Sequence, residues 1–85
     1  MCSYLSVINE STCPVISVLI NDVTFFKDVL LESAWKYCPA GSSNILVLDN
    51  REKTLFDLYI AINPRRRYIL RVLTDECILI QSAFL

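Results

Sequence analysis

The chain predicts an α/β fold: one mixed β-sheet of four to five strands with two helices, in the order ββαβαββ. Three observations point there. Val15–Cys38, VISVLINDVTFFKDVLLESAWKYC, opens on an apolar run, ends that run at Asn21-Asp22, and passes at once into helical spacing. Asn44–Ile62 repeats the pattern, with NILVLDNR ahead of TLFDLYIAI. Eighty-five residues, 54% apolar and 20% charged, suit a single folded domain over residues 1–85 with one core.

Ser3–Ile8 alternates Tyr4, Ser6 and Ile8 with Leu5 and Val7, which predicts a strand. The polar segment Asn9–Pro14 then turns the chain, and whether this strand pairs with Val15–Ile20 is left open. Val15–Ile20 is nearly all apolar, as in a central strand covered on both faces. Asp22 or Thr24 is placed to cap a first helix. Phe25, Phe26, Val29, Leu30, Ala34 and Trp35 recur at three and four residues along it, which predicts a buried stripe. Cys38-Pro39-Ala40-Gly41 stops the helix.

After Gly41-Ser42-Ser43, Ile45–Leu48 forms a second buried strand, and Asp49-Asn50 caps a second helix. Leu55, Leu58, Tyr59 and Ile62 make its stripe, and Asn63-Pro64 ends it. Tyr68–Leu73 is a third buried strand. Thr74-Asp75-Glu76 is a tight turn into a last strand from Cys77 to Ile80 or Phe84, an antiparallel hairpin. Right-handed crossovers would make Val15–Ile20 and Ile45–Leu48 parallel neighbours. Asn21, Asp22, Asp49, Asn50 and Thr74 would then share the carboxyl edge of the sheet, where ligands of such folds sit.

Two acids and a hydroxyl on one edge are what an aspartyl phosphoryl-transfer site needs. Through VLINDVTFFKDVLL, LVLDN and RVLTDE the chain resembles the receiver domains of response regulators. That resemblance implies Asp22 as a metal-holding acid, Asp49 as the phospho-acceptor and Thr74 as the switch hydroxyl. It is incomplete: Asn21 stands where a second acid is usual, Gln81-Ser82 replaces the expected lysine, and Asp22 and Asp49 are too close in sequence. It therefore implies the degenerate, receiver-like input domains of LuxR-type bacterial transcription regulators, which dimerise and dock partners without phosphorylation. Helix capping alone also accounts for Asp22 and Asp49.

Other classes find no residues to support them. There is no histidine, no glycine-rich phosphate loop and no G-x-S-x-G, so catalysis is not expected. Cys2, Cys13, Cys38 and Cys77 are scattered without a CxxC pair, which predicts free thiols in a reducing compartment and no metal or cofactor. Arg65-Arg66-Arg67 lacks the aromatic interleaving of a nucleic-acid surface and reads as a solvated turn after Pro64, or as a grip for phosphate or an acidic protein surface. Net charge is −1, and no apolar run is long enough to span a bilayer. The sequence thus predicts a cytoplasmic, non-enzymatic interaction module, a homodimer or the docking partner of another protein. Phe25 is a candidate anchor beside the three arginines. The alternative is a free-standing inhibitor or adaptor that docks through a sheet edge or helix.

Overall fold

Along most strands buried side chains alternate with more exposed ones, even where the sequence runs apolar, and this period of two decides the structure. The computed structural model describes the backbone of residues 2–84 and the side chains of residues 2–81, and no helix occurs among them. The expected α/β fold is corrected to an all-β sandwich. Its strands are β1 (Cys2–Asn9), β2 (Ile16–Ile20), β3 (Val23–Val29), β4 (Lys36–Pro39), β5 (Gly41–Asp49), β6 (Thr54–Ile62), β7 (Arg66–Val72) and β8 (Cys77–Phe84). They form two four-stranded sheets, ordered β4-β1-β7-β8 and β3-β2-β5-β6.

The five expected strands are present with shifted bounds, and the Thr74–Glu76 turn joins an antiparallel hairpin. Their arrangement differs. β2 and β5 are neighbours but antiparallel, because no helix carries the chain back between them. β1 pairs within the chain, parallel to β7 and antiparallel to β4.

The first expected helix is β3 and β4, and its stripe has a physical origin. Ile16 pairs with Val29 and Val18 with Phe26, so Ser17 of β2 faces both Lys27 and Asp28 of β3. That bulge, with Asp28 at φ 55°, spaces the buried side chains Phe26 and Val29 three apart and imitates a helical face. The second expected helix is β6. There Phe56, Leu58, Ile60 and Ile62 alternate inward between Asp57, Tyr59 and Ala61, the strict period of a strand.

The core lies between the sheets. Leu5 and Val7 of β1 and Leu70 and Val72 of β7 meet Ile16, Val18 and Ile20 of β2 and Ile45 and Val47 of β5. Each such side chain contributes about 1.5–3 kcal/mol by leaving water. The chain changes sheet at buried polar anchors. Asn9 donates through Nδ2 to the carbonyls of Cys13 (3.0 Å) and Leu30 (3.1 Å), and its Oδ1 accepts from Ser11. Ser3 Oγ donates to Asn63 O and accepts from the Arg66 N–H, holding the β6–β7 crossover.

Candidate interaction surface

The crossover from β3 to β4 runs antiparallel along β1. Asn9 N–H donates to Leu31 O, Ser33 N–H to Val7 O, and Val7 N–H to Ser33 Oγ. This pinning delivers Trp35, Lys36 and Tyr37 to one flank of the sandwich. Tyr37 lies directly opposite Tyr4, and Tyr4 lies beside Arg67, so the three form a row across the outer face of the sheet.

The geometry of the row is tight. The Tyr4 and Tyr37 ring centroids are 4.3 Å apart at 32°, and the Tyr4 hydroxyl donates to Tyr37 at 2.5 Å. That hydrogen bond raises the Tyr37 pKa above its ordinary 10.0. The Arg67 guanidinium lies 5.9 Å from the Trp35 ring centroid, within cation–π range. Lys36 Nζ donates to Phe25 O and stands 5.3 Å from the Phe26 ring. Trp35, the only tryptophan of the chain, is 47% exposed, and Tyr37 is 60% exposed.

Between the edges of β3 and β4 these side chains line an open cleft of about 540 Å³, walled by Val23, Phe25, Trp35, Lys36 and Tyr37 with Tyr4 beneath. A smaller cleft of about 320 Å³ adjoins it, bounded by Tyr4, Trp35 and Arg67. Indole and phenol faces supply rigid apolar contact area, and the two cations supply charge at its margin. Nothing here pairs a nucleophile with a base.

The residues singled out in the sequence are distributed otherwise. Asn21 (φ 51°) and Asp22 (φ 66°) are the centre of a two-residue type I′ hairpin between β2 and β3. Asp49 closes the β5–β6 turn, its Oδ1 accepting from the N–H groups of Arg51 (2.8 Å) and Lys53 (2.9 Å). Those bonds, led by Lys53, hold its carboxyl below the ordinary carboxylate range. Asn21, the neighbour of Asp22, exchanges hydrogen bonds with Asn44, whereas Asp49 pairs with Ile16 at the far end of the same sheet. Thr74 is exposed in the β7–β8 turn of the other sheet. The structure does not bring Asp22, Asp49 and Thr74 together.

A groove of about 490 Å³ does reach Asp49, beside Ser17, Lys27, Asp28 and Glu52. Its polar groups serve the local fold, since Asp49 holds the turn and Ser17 Oγ accepts from the Asp28 N–H. Phe25 lines the aromatic cleft, and Arg67 joins it. Arg65 (φ 57°) forms the turn after Pro64, donating its N–H to Cys2 O, and Arg66 begins β7.

No group of three His, Cys, Asp or Glu side chains suited to a metal occurs among the described residues. None of the described residues forms a helix long and apolar enough to cross a membrane. Trp35, Tyr37 and Tyr4 were missed as site residues because Trp35 fits the apparent helical stripe; the alternation of Trp35 and Tyr37 around Lys36 is the signal that finds them. No protein-family model matches the chain, and no curated protein matches it.

Proposed function

We propose that this chain is a non-enzymatic protein-interaction module whose docking surface is the aromatic cleft between β3 and β4. Its occupant is a segment of another protein that offers an apolar side chain next to a carboxylate. The observation that carries the reading is the clustering of Trp35, Tyr37 and Tyr4 with Arg67 and Lys36 on one exposed flank. Trp, Tyr and Arg are the residues that dominate measured binding energies; the rigid Trp and Tyr rings bury a large area at small entropic cost, and Arg adds a planar charged fork. The positive charge of Arg67 and Lys36 at the margin of the cleft favours an acidic partner over a purely apolar one. The free thiols, with Cys38 buried, fit a reducing, cytoplasmic setting. An all-β sandwich lends no support to a phospho-receiver input domain, so binding alone is proposed.

Selection from a displayed library of random peptides tests this. Wild-type protein is expected to enrich sequences that pair an apolar with an acidic residue. Synthetic versions should perturb the emission of Trp35, and Arg67→Ala should weaken them at least about tenfold. Enrichment of the same peptides by Trp35→Ala, or none by the wild type, would overturn the reading.

A further inference from the structure

The net charge of −1 conceals a segregation by sheet. Strands β4, β1, β7 and β8 carry Lys36, Arg66, Arg67 and Arg71 and no aspartate or glutamate. Strands β3, β2, β5 and β6 carry Lys27 against Asp28, Asp49 and Asp57. Register decides which side chains share the outer face of the basic sheet. Leu5, Val7, Leu70 and Val72 point into the core, so Tyr4, Arg67, Ile69 and Arg71 point out. Ile80 lies beside Ile69, and Arg71 lies between Ile78 and Ile8. Ile80 is 39% exposed, and Ile8, Ile69 and Ile78 are half-buried. The row of Tyr37, Tyr4 and Arg67 is thus one end of an apolar strip along β7 and β8. Arg71, held by Glu10 at 3.1 and 2.6 Å, stands at the other.

We infer that this outer face docks an amphipathic helix of another protein whose apolar stripe is flanked by carboxylates. The inference rests on the docking reading of the aromatic cleft and extends that contact across the sheet. A sheet face presents side chains and no unpaired peptide groups, so its partner must satisfy its own backbone, as a helix does. The isoleucine strip is two strands wide, about 5 Å, which matches the stripe of one helix better than the face of a second sheet. From the Tyr4 row to Arg71 is four residues of β7, about 13 Å, or about two and a half helical turns. Charge selects the sign of the partner. With no acid in its strands, the sheet attracts carboxylates along the margin of the strip. A second copy laid face to face would set arginines against arginines, since the adjoining acids Glu10 and Glu76 both already lie at Arg71.

A displayed library built on a helix of about 18 residues tests it, with leucine fixed along one stripe and glutamate, glutamine or lysine allowed beside it. The wild type is expected to enrich glutamate-flanked helices. A synthetic winner should bind the Ile69→Thr, Ile80→Thr variant at least about tenfold more weakly. Threonine keeps the β-branched shape and neither residue belongs to the core, so the variant keeps its strands, which circular dichroism checks. No enrichment, or enrichment of lysine-flanked helices, would overturn the inference. So would capture of a labelled oligothymidylate in place of the helices, which would make the basic sheet a nucleic-acid surface. Winners indifferent to the threonines but lost in Trp35→Ala would also overturn it, confining the contact to the cleft and leaving the docking reading intact. Winners weakened by the threonines and bound normally by Trp35→Ala would uphold the sheet face and remove the cleft.

Discussion

Ser3 is fully buried and its hydroxyl serves two partners, donating to Asn63 O and accepting from Arg66 N–H. Ser3→Ala removes both and leaves a backbone donor and acceptor dry, so chemical denaturation should show a loss of about 1–3 kcal/mol. The thiols divide by burial in the same way. Burial pushes the Cys77 thiol from 9.0 to about 11 and raises Cys38 as well, whereas Cys2 is exposed. At about pH 8 an alkylating reagent should therefore modify Cys2 well before Cys38 and Cys77. Because the folded Cys77 keeps its proton over a range where the unfolded thiol has lost it, stability should fall as pH rises from 9.0 to about 11. Cys77→Ser should reduce that alkaline loss. The acids at Asp22 and Asp49 were legible as residues with a structural duty, but the duty was misread. Both positions hold hairpin turns, and Asn-Asp between two β-branched runs is itself a hairpin signal.

At the scale of the element, the strands the sequence announced are an alternating segment, β1, and short apolar runs bounded by turn residues, β5 and β7 among them. β3 was not announced, since its bulge resets the count and places Phe26 and Val29 at helical spacing. β6 carried its period in plain view, but Leu55, Tyr59 and Ile62 also satisfy a helical stripe, and only tertiary pairing with β5 decides between them. The β5–β6 hairpin depends on two residues of its turn. Glu52 sits at φ 62°, where a side chain is strained, so Glu52→Gly should stabilise the protein by about 1 kcal/mol in thermal unfolding. Asp49 has a depressed folded pKa, so its contribution is complete above the ordinary 3.8 and disappears as pH falls through the folded value. Asp49→Ala should lower the melting temperature at neutral pH and flatten its decline in acid.

The whole molecule is a thin sandwich whose excess of apolar residues lies at its flanks. The sequence composition disclosed that excess, 54% apolar with one glycine, but periodicity could not say where it would surface. Strand order decides this. It puts aromatic side chains with two cations at the β3/β4 flank and leaves β6, with Asp57 exposed, and β8 as the other edge strands. The first suits a different protein, and it depends on Trp35 standing outside the core, which a helical reading of residues 24–38 would bury. Because Trp35 is the only tryptophan, its fluorescence reports that point without labelling. In dilute protein the emission should be red-shifted and readily quenched by acrylamide, and Arg67→Ala should alter it. Blue-shifted emission that resists acrylamide until the chain unfolds would return Trp35 to the core and contradict the docking surface.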